Sequence, residues 1–289
     1  CNSINFSIGV FFNGTANGTI QNVSATSMSS GYGIYLNSSS NSNLIINSSG
    51  TSNSSHGIYI NSNSNLIINS SGTSNSGWGI YNHLSSGNAI INSSGTSNSS
   101  HGIYIGFSSN SAIISSKGVS LISGTGILFN SSSNSTIINS NGTSNSSNGI
   151  YINSSFNITA INSSGNSKSG NGMRISYGSN NSIINSTGFS NSSYGIYMDF
   201  SSNNTLLNST GTSISSYAIN LDSSSKNNII NSKGTSLTSG MGIAIQSSPN
   251  NIIINSSATA YTCCNNYGFY IYLSSNNTFI NATGTSLTS

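Results

Sequence analysis

The sequence predicts an all-β chain wound as a single-stranded parallel β-helix, with about 12 coils of about 23 residues and three short strands per coil. Three observations carry that expectation. The first is a period. A glycine ahead of an apolar triplet recurs at Gly9, Gly33, Gly57, Gly79, Gly102, Gly126, Gly149, Gly172, Gly195, Gly242 and Gly268, with Ala218 in the one gap. Successive steps are 22 to 24 residues and the last is 26, the self-similarity of a solenoid. The second is element length. Triplets such as Ile58-Tyr59-Ile60 are short, β-prone and fenced by Ser, Asn and Gly, whereas a helical repeat needs about 10 or more periodic residues per element. The third is that equivalent positions align into columns of one residue type.

Residues 1–8 do not complete a repeat and read as an N-terminal edge segment, with the β-helix running over 9–289. In the first triplet the outer positions are apolar (Ile58 and Ile60, Ile103 and Ile105, Ile196 and Met198), and the middle one is often Tyr. Alternation along a strand then sends the Ile columns inward and a Tyr column outward. The second triplet has a variable first position, followed by two adjacent apolar columns, Ile45, Ile67, Ile90 and Ile46, Ile68, Ile91. Two neighbours cannot both face inward on a flat strand. Either the backbone bends there, the reading we favour, or one column faces out and is covered by its neighbours.

The asparagine that closes this triplet (Asn47, Asn69, Asn92, Asn139 and equivalents) forms a row suited to an amide ladder from coil to coil. Next, Gly50, Gly72 and Gly95 read as a tight turn. Small residues such as Ser52, Ser74 and Ser97 then imply a narrow third face.

Units of the type GIYINSNSNLIINSSGTSNS, at 57–76, resemble the right-handed parallel β-helix repeats of the pectate-lyase-like superfamily, especially NosD-type and archaeal surface-protein repeats. The resemblance spans residues 9–289. It implies a right-handed winding but little about activity, because that superfamily includes lyases, glycosidases, adhesins and structural surface proteins.

Composition narrows the partners. Charged residues make up 2% of the chain and the net charge is +3, too dilute for a phosphate-binding patch, so no nucleic acid partner is expected. No apolar run approaches the roughly 20 residues of a membrane span. Covalent N-glycan is a candidate source of solubility, with Asn13, Asn47, Asn53, Asn69, Asn92, Asn98, Asn162 and Asn208 among the N-x-[ST] sites. An extracellular or cell-surface location suits both features.

Candidate chemistry is sparse. The two carboxylates, Asp199 and Asp222, fall on one column of adjacent coils, about 5 Å apart. That approaches the spacing of a retaining glycosidase pair, but the bland reading is two turn side chains whose repulsion is softened by Arg174 and Lys226. His56 and His101 share a column with Trp78 between them, too far apart to share a metal and better read as an aromatic stack. No catalytic residue, cofactor or metal site is therefore expected. The resemblance to NosD-type proteins implies an association with copper-site maturation, yet no Met/His/Cys cluster supports it. The acidic calcium cluster of a pectate lyase is absent as well.

Cysteines are more suggestive. Cys1 lies at the start, and the adjacent Cys263 and Cys264 lie in the largest insertion. Vicinal cysteines pair with each other only through a strained ring, so an intermolecular cross-link is expected. With strand edges at both ends, the chain reads as a non-enzymatic structural protein that stacks on itself head to tail into a filament, sheath or surface layer. Two alternatives are a carbohydrate-binding or carbohydrate-processing β-helix using the Tyr column, and an ice-binding rod using the row Thr51, Thr73 and Thr96.

Overall fold

A computed structural model describes residues 2–3, 7–261 and 266–287. These residues form 37 short strands and no helix, wound as a β-solenoid with three parallel sheets. The coils fall into two compact units, Cys1–Asn145 and Ser146–Ser289.

In the first unit the strands that follow the recurrent glycine stack in strict register, Ile58 on Ile80 and Ile80 on Ile103. In the second unit Met173, Ile196, Ile219 and Ile243 do the same. Both outer positions of these strands are sealed, as with Ile58 and Ile60 at 0% exposure. Each such side chain contributes about 1.5–3 kcal/mol of burial. One member of the inward columns is polar. Asn82 is satisfied there by Ser85 Oγ and Asn88 Nδ2, which donate to its Oδ1 at 2.6 and 2.7 Å, and by Ser111 Oγ, which accepts from its Nδ2 at 3.2 Å.

The two adjacent apolar columns resolve differently from the bend favoured on sequence. Ile45, Ile67 and Ile90 are buried, whereas Ile46, Ile68 and Ile91 face outward and are half-covered by one another. The bend falls one residue later, on Asn47, Asn69 and Asn92, each at φ 48°. That left-handed conformation is what the short polar side chain of Asn tolerates best after Gly. From Phe107 onward each coil has three such corners, for example Phe107, Asn110 and Ser115, or Tyr177, Asn180 and Asn185.

The Asn47 row is therefore not the expected amide ladder. Its side chains are exposed, and its coil-to-coil bond is made by the backbone, Asn47 N donating to Ile68 O at 3.1 Å. The ladder lies four residues earlier. Asn43 N donates to Asn65 Oδ1 at 2.8 Å, and Asn65 N to Asn88 Oδ1 at 2.6 Å. The second unit repeats it through Asn181, Asn204, Asn227, Asn251 and Asn277. A parallel serine ladder runs from Ser48 through Ser70, Ser93 and Ser116 to Ser140, each N–H donating 3.1 Å to the next Oγ. These rows satisfy backbone donors at corners where no strand pairing does.

Gly50, Gly72 and Gly95 are not turns either. They lie inside the third strands, Ser49–Ser52, Ser71–Ser74 and Ser94–Ser97. A Cβ on Gly72 would meet Gly79 O at 2.1 Å, and one on Gly57 would meet Thr73 N at 2.3 Å. Two glycine columns thus face each other where the coil is narrowest. Beside them Ser52 and Ser97 are buried and donate to loop carbonyls, Gly31 O and Gly77 O, both at 2.6 Å.

Candidate functional site

Because the inward columns are filled by apolar packing, chemistry can only sit on the outward ones. Two adjoin each other, the position just before the recurrent glycine and the middle of the strand that follows it. In the first unit both are aromatic from Tyr32 to Tyr104, after which Thr125 and Leu128 take the two positions. Tyr35, Tyr59 and Tyr81 stack in parallel at 4.8 and 4.9 Å between ring centroids. Tyr32, His56, Trp78 and His101 form the second file, with His56 on Trp78 at 4.5 Å and Trp78 edge-on to Tyr81 at 3.9 Å.

The stack expected for His56, Trp78 and His101 is present. The Tyr column is less open than expected, since this second file covers it and leaves Tyr81 and Tyr104 at 8% exposure. Ring faces within the column are taken by neighbouring rings, so it offers edges and hydroxyls rather than platforms.

Burial sets the electrostatics here. It pushes the Tyr59 phenol up to about 12 and the Tyr81 phenol higher still. It lowers His56 and His101 to about 4, so both rings are neutral near pH 7. Their Nδ1 atoms accept backbone N–H groups, from Trp78 at 3.2 Å and Thr125 at 2.9 Å. His83 lies on another column, between Tyr81 and Phe107.

In the second unit the middle position carries Arg174 between Tyr151 and Tyr197, its Cζ 5.1 and 5.3 Å from the two ring centres. Arg174 grips Asp199 with both arms, Nε to Oδ1 at 2.9 Å and Nη2 to Oδ2 at 2.6 Å. Ser176 Oγ donates a third bond at 2.8 Å. Hydrogen bonding to Asp199 holds the guanidinium pKa above its usual value.

Asp199 and Asp222 are register partners, as the repeat implies. Their environments differ: Asp199 is 2% exposed and fully engaged. Asp222 is half-exposed and accepts from Tyr197 Oη at 3.3 Å and Ser223 Oγ at 3.1 Å. Arg174–Asp199 is the one salt bridge among the described residues, so Lys226 does not share the task assigned to it. No group of three or more metal-binding side chains occurs among the described residues.

Cys1, Cys263 and Cys264 lie outside the described residues. Of the glycan candidates, Asn13, Asn47, Asn53, Asn69, Asn92, Asn162 and Asn208 are exposed and Asn98 is half-buried. Asn47 and Asn69 also line a polar surface groove of about 380 Å³ with Asn22, Ser24, Ser49 and Ser71. No helix is long and apolar enough to cross a membrane.

The family profile described as right handed beta helix region matches residues 8–119 and 125–284, so the chain belongs to that family. No curated protein matches it. Among solved structures it is similar to the periplasmic alginate epimerase AlgG, at 13% identity over 86% of this chain and 76% of that one, with a TM-score of 0.65. The A-module of the Azotobacter vinelandii mannuronan C-5 epimerase AlgE6 aligns at 9% identity over 95% and 89% of the two chains, TM-score 0.49. The surface adhesin PfbA of Streptococcus pneumoniae aligns at 12% over 92% and 85%, TM-score 0.44. At such identities the likeness is one of fold.

Proposed function

We propose that this member of the right-handed β-helix family is a non-enzymatic structural protein acting outside the cytoplasm, and that it assembles with further copies of itself. The observation that carries the reading is the commitment of Asp199, His56 and His101 to the fold.

The acid–base groups support a structural role. Asp199 is committed to Arg174 and Ser176, and His56 and His101 are held neutral inside a stack. A general acid needs a proton that it can surrender to a substrate, and neither arrangement offers one.

Light scattering and electron microscopy across a concentration series test this. Assemblies larger than one chain are expected. Non-reducing gels then report whether Cys1, Cys263 and Cys264 seal the contact. A monodisperse monomer at high concentration would sink the idea.

A further inference from the structure

The corner that follows the first strand of a coil is left-handed from Leu84 onward. Ser131, Ser154, Ser223 and Ser247 fill it in four coils, and Leu84, Phe107 and Leu273 in three others. In the second unit Tyr177 and Phe200 occupy it in successive coils at φ 51° and 49°, a region that bulky side chains rarely adopt. Both are more than half exposed, at 62 and 53%. The chain thus places two large apolar rings where neither the backbone nor solvent favours them.

The rings lie parallel at 5.1 Å with 5° between their planes. Tyr177 therefore backs one face of Phe200. The other face looks along the column toward Ser223 and then Ser247, because Asp199, Asp222 and Gln246 are register partners and these residues directly follow them. At roughly 4.8 Å per coil, two consecutive small residues leave a notch the thickness of a sugar ring against an open aromatic face. Asp222 lies at the same notch, half-exposed. It is a carboxylate without an Arg or Lys partner among the described residues, already holding Ser223 Oγ.

From this we propose that Phe200, backed by Tyr177, and Asp222 form a binding subsite for one pyranose unit of a neutral glycan. The ring would stack its C–H face on Phe200 and donate hydroxyls to Asp222. The unpaired carboxylate selects against uronates, whose own charge it repels. In the first unit Phe107 occupies the same corner, 53% exposed and followed by Ser131 and Ser154, but Asn130 stands where this site has Asp222. The subsite is independent of self-assembly, so either can fail without the other.

Calorimetric titration of the full chain with cellohexaose, mannohexaose and a mannuronate hexamer tests it. Binding is expected to at least one neutral hexamer and not to the uronate. Phe200→Ser, which installs the residue found in other coils, should abolish binding while leaving the melting temperature unchanged or raised. Asp222→Asn, at a half-exposed position, should weaken binding about tenfold and reads the same site independently. Binding to the uronate alone, to none of the three, or undiminished in both variants overturns the subsite. A lower melting temperature in Phe200→Ser also overturns it, because the ring would then be packing rather than a platform. So does a concentration-dependent dimer that Phe200→Ser abolishes in the absence of glycan binding, since a protein partner would then own the surface.

Discussion

The two units place different chemistry on one scaffold. In Cys1–Asn145 the outward columns hold rings on rings, Tyr35, Tyr59 and Tyr81 beside Tyr32, His56 and Trp78, without a charge. In Ser146–Ser289 the corresponding column runs Tyr151, Arg174, Tyr197, Asn220 and Ala244. Arg174 keeps the stack by lying between two rings, as a planar cation can. It is also half-buried, and the strand's fourth position answers with Asp199, where the first unit has His83, Gly106 and Asn130. The inward columns are alike in both units. The outward columns vary freely, provided that each buried charge brings its own partner.

Removing that partner should give the largest effect. Asp199→Ala leaves Arg174 unpaired, and because the arginine keeps 28% side-chain exposure the expected loss is about 3 kcal/mol, at the low end for a broken buried pair. Urea denaturation of the variant measures it. Adding Arg174→Tyr should restore most of the loss, since it rebuilds in the second unit the stack of the first. A double variant no better than Asp199→Ala would break the equivalence of the two columns.

In the first unit, Trp78→Ala should cost about 2–3 kcal/mol, by losing its contacts with His56, Tyr81 and Tyr104. Trp78→Phe should cost far less, because Trp78 Nε1 is buried without a hydrogen-bond partner and nothing polar is lost. Near-UV circular dichroism and melting temperature follow both.

A smaller, graded effect is expected with pH. His56 and His101 have native pKa values of about 4, below the usual 6.5, so the unfolded chain binds more protons between those limits. Their contribution to stability is complete above about pH 6.5 and is lost as pH falls toward 4. The slope is at most about 1.4 kcal/mol per pH unit per histidine. Ser146–Ser289 contains no histidine, so this term belongs to the first unit alone. Amide exchange at pH 7 and pH 4.5 should show protection falling around Trp78 but not, through this cause, around Arg174. Smallest is a single rung of the serine ladder: Ser70→Ala removes the acceptor of Ser48 N and is expected to cost about 1 kcal/mol.

Much of this was legible in the residues. The Ile columns, the outward Tyr file, the His56–Trp78–His101 stack and the adjacency of Asp199 and Asp222 all follow from counting along the repeat. What escaped was the identity of the ladder. Asn43, Asn65 and Asn88 recur as regularly as Asn47, Asn69 and Asn92, but a Ser/Asn-rich stretch does not say which Asn turns the chain and which bonds the next coil. The glycines of the third strand escaped for a related reason. Gly72 suggests a turn by type, but its role comes from Gly79 O, 2.1 Å from where a Cβ would lie.

The sequence by itself determined the winding, the register and the inward faces, because those depend on periodicity, and a strand's alternation is the same wherever it packs. Tertiary structure alone decided which corner residues bend, which outward rings keep an open face, and which carboxylate is spent. Those depend on distances between consecutive coils, some 23 residues apart in sequence and a single strand spacing apart in space. Tyr35 and Phe200 are both outward aromatic residues in the same repeat. Only the stacking around them separates a ring closed in by its neighbours from one left with a free face.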